Sequence, residues 1–253
     1  MEKKISVVIN TYNAEQHLSA CLEAVKDFDE VVVCDMESTD RTVEIASEHG
    51  ARVVTFPKGE HKSAEPARTF AIQSATNPWV LVVDSDEIII PELRAYLYHR
   101  IQEPDCPAGL YIARRNRFMG RYKCGTGHDY QLRFFVREGT VWPPYVHTFP
   151  QVPGQTEKVP PRYYMLHLAN ETMHQWVAKL NEYTDNEVTK KQHKNYGMWA
   201  LLWRPSWRFF RTYILRRGFL SGRRGLIKAQ LAAFYQFVAV AKIIEKRLRY
   251  GEG

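Results

Sequence analysis

The apolar residues of this chain fall into two rhythms. Ile5 to Ile9, Glu30 to Cys34, Arg52 to Phe56 and Trp79 to Val83 are short, nearly continuous β-branched and apolar runs. Between them, Ala14 to Val25, Ser38 to Glu48 and Glu65 to Ser74 carry apolar residues three and four apart. Runs of the first kind predict strands buried on both faces, and segments of the second kind predict amphipathic helices. Ser38 or Thr39 can cap the second helix, and Gly50 closes it. Strand and helix in strict alternation imply an α/β, Rossmann-like, mostly parallel central sheet with helices on both faces. Ligands in such sheets bind at the carboxyl ends of the strands. Thr11, Tyr12, Asn13, Asp35, Asp84, Ser85 and Asp86 all fall there in this register.

The fourth strand ends abruptly in acid, "VLVVDSDE". Asp84, Asp86 and Glu87 crowd like charge into a few residues, which requires a cation or a ring of donors nearby. A plainer reading is a helix N-terminus, because Pro91-Glu92-Leu93 opens a helix and acids favour that end.

At 253 residues the chain is long enough for one large domain with an appendage. The start, Met1-Glu2-Lys3-Lys4, runs into a strand and has no apolar leader, so a cytoplasmic protein is expected. Cys21, Cys34, Cys106 and Cys124 form no paired motif and read as reduced structural thiols. Charge is uneven. From Arg204 to Tyr250 there are twelve Lys and Arg against Glu245 alone, so this segment carries +11 while the remainder carries −4. Trp203, Trp207, Phe209, Phe210 and Tyr213 lie among those arginines, a composition suited to the inner face of an anionic membrane. The longest apolar stretch, Leu231 to Ala241, is too short to cross one.

After the first strand comes "NTYNAEQH", which has no glycine for either phosphate-cradling motif. Side chains or a metal must therefore hold any diphosphate. The set "ISVVINTYN", "EVVVCDMESTDRTVEIA", "PARTFAI" and "WVLVVDSDE" resembles the nucleotide-binding half of a family 2 glycosyltransferase with the GT-A fold. "DYQLRFFVR", "VHTFP", "KLNEYT" and "RTYILRRGFLSGRRGLIKAQLAAFYQF" extend the resemblance to the branch that adds sugars to lipopolysaccharide core. It implies a catalytic domain over 1–198, with a nucleotide-sugar half (1–115) and an acceptor half (116–198), followed by a basic helical extension over 199–253.

The resemblance implies that Thr11, Tyr12 and Asn13 lie at the nucleotide, and that Asp35 accepts a hydrogen bond from the base. Arg68 would lie near the base and diphosphate, Asp84 at the ribose, Ser85 at the nucleotide, and Asp86 on a divalent Mn or Mg ion. His147 would lie near that ion. Asp129, before the strand Tyr130 to Val136, would be the base of an inverting transfer from a nucleotide-sugar donor, such as a UDP-sugar, to a glycolipid acceptor. His128, His167 and His174 have no ligand spacing. Two departures stand out. Met36-Glu37 occupies a turn where relatives have a small residue and glycine, and Thr148 replaces a glutamate. A sugar-phosphate nucleotidylyltransferase would need a glycine-rich first loop, absent here. A non-enzymatic basic module binding lipid or nucleic acid would explain the tail but not the acidic strand end, so no nucleic acid is expected.

Overall fold

The computed structural model describes residues 3–61, 64–122, 129–144, 148–169, 172–191, 194 and 196–250. The chain groups into two compact units, residues 1–116 with 128–169, and 117–127 with 170–253.

The first unit opens with the expected alternation of β1 (Ile5–Thr11), α1 (Glu15–Val25), β2 (Glu30–Asp35), α2 (Thr42–Glu48), β3 (Arg52–Thr55), α3 (Glu65–Ser74) and β4 (Trp79–Asp84). The order β3-β2-β1-β4 is parallel throughout. Every residue of β1 is buried, because both faces are covered. Ile5, Val7 and Ile9 pack with Leu18, Leu22 and Val25 of α1, while Val8 packs with Ala67, Ala71 and Ile72 of α3. Cys21 and Cys34 are buried free thiols in these layers.

The chain then adds β5 (Glu87–Ile89), α4 (Pro91–Gln102), β6 (Gly109–Phe118), β7 (Arg121–Tyr122), β8 (Asp129–Val136), β9 (Thr156–Lys158) and β10 (Tyr164–His167). Strand β8 inserts antiparallel between β4 and β6, and β10 joins β6 in parallel and β5 antiparallel. The sheet is therefore mixed but mostly parallel. One expected start shifts: α2 begins at Thr42, not Ser38. The Ser38 hydroxyl donates instead to Asp35 Oδ1 at 2.6 Å, and Asp40 Oδ1 accepts the Thr42 N–H at 3.0 Å.

The second unit holds the end of β6 with β7, joined by Met119 and Gly120 at positive φ, the two-residue turn that matches strand twist. It also holds α5 (Met173–Lys191), α6 (Ala200–Phe210), a π turn (Arg211–Leu215), a 3-10 turn (Gly218–Ser221) and the 29-residue α7 (Gly222–Tyr250). The expected helical extension is present. The expectation that nothing in it is long enough to cross a membrane is overturned. Residues 218–249 are long and apolar enough by length and composition, because Gln230 and Gln236 interrupt the apolar run in sequence without interrupting the helix. Even so, Ala229, Ala239, Val240 and Ile243 are buried, and Lys242 donates to Asp185 at 2.6 Å and to Asn181 Oδ1 at 2.7 Å on α5.

Candidate active site

The carboxyl ends of β1 and β2 are stitched together. The Thr11 hydroxyl donates to Asp35 Oδ1 at 2.8 Å, and the Ser38 N–H donates to Oδ2 at 2.8 Å. Asn13, at φ 48°, accepts the Thr39 N–H and donates its own N–H to Ser38 Oγ. Tyr12 is half exposed, with Lys58 Nζ 4.6 Å from its ring centroid. Asp35 is only 2% exposed, so its carboxylate organises this turn. Met36 is buried, and Glu37 takes the left-handed conformation, φ 61°, that a glycine would adopt freely. The loop keeps its tight turn at the expense of backbone strain.

The acids after β4 are answered by arginines. Arg68 on α3 donates Nη2 to Asp84 Oδ1 at 2.9 Å, and Arg133 on β8 grips the same carboxylate. Burial opposes charge on Asp84, but Arg133 and Arg68 outweigh it and hold its carboxyl well below the usual range. Glu87 is fully buried. It accepts the Asp84 N–H at 3.0 Å and lies 3.3 Å from Arg114 Nη1. Burial first, with Asp84 adding to it, raises Glu87 against the pull of Arg133 and Arg114. Helix α4 starts only at Pro91 with Glu92 in its first turn, so these acids do not cap it.

Ser85 and Asp86 form the turn between β4 and β5. Asp86 Oδ2 lies 3.0 Å from His167 Nε2, at the end of β10. His167 Nδ1 lies 3.0 Å from Asn116 Oδ1, and Asn116 Nδ2 donates to Asp129 Oδ2 at 2.9 Å. Burial pulls the His167 pKa down, yet the hydrogen bond and charge of Asp86 bring it above its ordinary value. Arg114 donates Nε and Nη2 to Asp129 Oδ2 at 3.0 and 2.9 Å, and Gln131 donates to Oδ1 at 2.8 Å. Burial opposes ionisation of Asp129, but Arg114, Asn116 and Gln131 prevail and its pKa is lowered. Oδ1, with one donor against three on Oδ2, is the oxygen with room for a proton.

Beside this chain of contacts lies a set of buried polar atoms without hydrogen-bond partners among the described residues. They are both amide atoms of Asn10, Arg68 Nε and Nη1, and Trp142 Nε1. The Arg68 guanidinium sits 4.5 Å from the Trp142 ring centroid. An unsatisfied buried donor is destabilising by about 1–3 kcal/mol, so such a set marks a place built for a ligand.

Glycosyl transferase family 2, as a family model, matches residues 6–154, which include the carboxyl ends of β1, β2 and β4 and more than half of the chain. The chain belongs to this family. An uncharacterized glycosyltransferase of Rickettsia felis is 28% identical over 273 residues, covering 98% of this chain and 92% of that protein. The lipopolysaccharide core biosynthesis glycosyltransferase LpsC of Rhizobium meliloti is 24% identical over 263 residues, covering 96% and 92%. Two solved structures share the fold over nearly the whole length. One is Staphylococcus aureus TarS with UDP, at TM-score 0.52 and 15% identity, covering 98% and 92%. The other is the Pyrobaculum calidifontis mannosyltransferase PcManGT with GDP-Man and Mn2+, at TM-score 0.55 and 12% identity, covering 96% and 88%. The GT-A fold expected of a family 2 glycosyltransferase is the fold found.

Among the described residues no three His, Cys, Asp or Glu side chains gather as a closed metal site. Asp86 and His167 nevertheless fit a shared ion. Two ligands at about 2.1 Å in adjacent octahedral positions stand about 3 Å apart, and ions of this kind often take only one or two protein ligands beside substrate phosphates. His147, the sequence candidate for this role, lies outside the described residues, as do Cys124 and the glycine loop ahead of Asp129. The sequence reading missed Arg114, Arg133, Trp142, Asn116 and His167. Their partners lie far along the chain, and the one local signal was a charged residue, Arg133, inside the otherwise apolar run Leu132–Val136 of β8.

Proposed function

We propose that the protein is an inverting glycosyltransferase that moves a sugar from a nucleoside-diphosphate donor, of the uridine type, to a glycolipid acceptor such as lipopolysaccharide core. The observation that carries this reading is the cluster of unpartnered donors on Arg68, Asn10 and Trp142, together with the partly buried Asp86–His167 pair. Anionic phosphates would satisfy the former, and Asp86 with His167 would hold a divalent Mn or Mg ion. When bound, that ion supplies Lewis-acid neutralisation of the departing diphosphate.

Each side chain then has a task. Thr11, Tyr12 and Asn13 flank the base, with Asp35 holding Thr11 in place and meeting the base edge. Asp84 and Ser85 address the ribose, Asp84 fixed by Arg68 and Arg133. Asp129 Oδ1 takes the proton of the acceptor hydroxyl as that oxygen attacks the anomeric carbon from the face opposite the nucleotide. By its place in the motif that resembles the family's, His147 would be a further ligand of the divalent ion. The catalytic domain spans 1–198 and the basic extension 199–253.

The extension places the enzyme on the inner face of the cytoplasmic membrane, near its lipid-linked acceptor. Trp199, Trp203 and Trp207, four residues apart, are 81%, 57% and 46% exposed along one face of α6. That is an apolar face of the kind that beds into a bilayer interface. The Lys242 contacts to α5 and the buried alanines of α7 favour attachment to the surface over a crossing.

Thermal unfolding with a panel of nucleotide sugars, with and without Mn2+, tests the reading, since a ligand bound only by the folded state raises Tm. A uridine diphosphate sugar should raise Tm only when the metal is present. If no nucleotide sugar shifts it under either condition, the reading is wrong.

A further inference from the structure

After β3 the chain makes a β-turn from Lys58 to His61, closed by the His61 N–H donating to the Lys58 carbonyl at 3.0 Å, with Gly59 at φ 47°. The Lys58 side chain folds back over this turn and donates Nζ to the His61 carbonyl. The turn is anchored from below, since the His61 ring lies 6.2 Å from that of Phe56, and Phe56 lies 5.7 Å from Phe70 on α3. A second fastening comes from the neighbouring loop. The Glu37 carboxylate, which a glycine at that position would lack, accepts the Lys58 N–H at 3.0 Å. Held in this way, the Lys58 ammonium stands 4.6 Å from the centroid of the half-exposed Tyr12 ring.

The order of the strands gives this placement a direction. Strands β3, β2, β1 and β4 are parallel and lie side by side in that order, so their carboxyl ends form a row. Asp84 and Asp86 stand at the β4 end of the row, Tyr12 follows β1, and Lys58 follows β3 at the opposite end. With ribose and diphosphate at β4 and the base at Tyr12, the glycosidic bond points toward β4. The far edge of the base, position 4 of a pyrimidine, then points toward Lys58. An ammonium carries three donors and no acceptor. A carbonyl oxygen at position 4, as in uracil, accepts from it. The amino group that cytosine carries there meets it donor against donor.

We propose that Lys58 selects the base of the donor nucleotide by donating to the position-4 carbonyl of uracil, and that Glu37 is a positioning residue that holds the Lys58 turn in place. The inference rests on the nucleotide-sugar reading above and names the group that sets its base preference. Stacking on Tyr12 is shared by all bases, so it contributes affinity without choosing among them. Choice comes from the edge, where the wrong base leaves donors facing each other.

The test is calorimetric titration of the full-length protein with UDP and with CDP, each in Mn2+. Wild type should bind UDP about tenfold or more tightly than CDP, the effect of one charge-assisted hydrogen bond. Lys58→Met should bring the two affinities within about twofold of each other by weakening UDP. Lys58→Arg keeps a cationic donor and should retain more of the preference than Lys58→Met. Glu37→Gly keeps the turn but loses the fastening, and should lose part of the preference. The ratio compares two nucleotides on the same variant, so a lowered fraction of folded protein cancels from it. Lys58→Gln supplies the same comparison should Lys58→Met fail to fold.

Equal weakening of both nucleotides by Lys58→Met, with the wild-type ratio kept, would mean a general electrostatic or stacking role and would overturn the proposal. A wild type that binds UDP and CDP alike would also overturn it, while leaving the nucleotide site standing. If neither nucleotide binds, the nucleotide-sugar reading itself fails and the role of Lys58 fails with it.

Discussion

His167 Nε2 lies 3.0 Å from Asp86 Oδ2, while the other ring nitrogen of the same histidine faces Asn116, which in turn holds Asp129. The carboxylate assigned to the metal and the carboxylate assigned to the proton are thus tied together through one imidazole and one amide. A histidine ligand whose second nitrogen is hydrogen-bonded has a fixed tautomer and orientation. His167→Ala should therefore raise the Mn2+ concentration needed for half-maximal activity about 10- to 100-fold, and Asn116→Ala should do so more weakly. Metal titrations of activity would check both.

Asp129→Asn should leave nucleotide-sugar affinity near that of the parent and lower transfer about 10²- to 10⁴-fold, the usual effect of losing a positioned base. The amide keeps the shape but loses the basic oxygen. Donor affinity by calorimetry and transfer rate by product formation separate the two effects, and NMR of the product should show an anomeric configuration inverted from the donor.

Arg133 is buried between Asp84 and Glu87, so removing it strands buried carboxylate charge. Arg133→Met should destabilise the fold by about 3–5 kcal/mol. Urea unfolding would measure this, and Arg133→Lys should recover only part of it because a single ammonium cannot reproduce the fork.

Glu30 gives the clearest pH dependence. Burial alone would raise its pKa, but the Ser6 hydroxyl, the Thr76 N–H and hydroxyl and the Arg52 guanidinium lower it to about 2. A depressed folded-state pKa means stability that is full above the ordinary carboxylate value and is lost as pH falls through about 4 toward about 2. Glu30→Gln should therefore be less stable than the parent at neutral pH by about 2–3 kcal/mol, with the two converging in acid. Denaturant midpoints across pH would show it.

The strained turn offers a fifth comparison. At Glu37, φ 61°, glycine should be more stable than alanine by about 1 kcal/mol, since only glycine takes this conformation freely. Comparing those two variants cancels the loss of the bond from the Lys58 N–H to the Glu37 carboxylate.

What could be read from the chain was local. The β1-to-β4 alternation is written in runs and spacings that single segments carry, and so are the strand ends that hold Thr11, Asp35 and Asp84. The start of α2 was misplaced because Ser38 had two candidate partners, its own helix and Asp35, and only the fold shows which it takes. The three-residue β5 and four-residue β10 are too short to carry a period, so His167 could not be placed opposite Glu87, though their pairing brings it to Asp86. Arg133 reaches Asp84 across 49 residues of chain. Nothing near either residue in sequence announces that pair. In α7 the error ran the other way: counting an unbroken apolar run undervalued a helix whose polar residues are dispersed along it.

The most direct measurement is release of nucleoside diphosphate from a panel of nucleotide sugars by the wild-type protein and by Asp86→Ala, in Mn2+ and in excess chelator. Wild type should turn over one uridine-type donor with the metal present. Chelation should abolish that turnover, and Asp86→Ala should lack it while unfolding at the wild-type temperature. Full turnover in chelator, or by Asp86→Ala, would contradict the account.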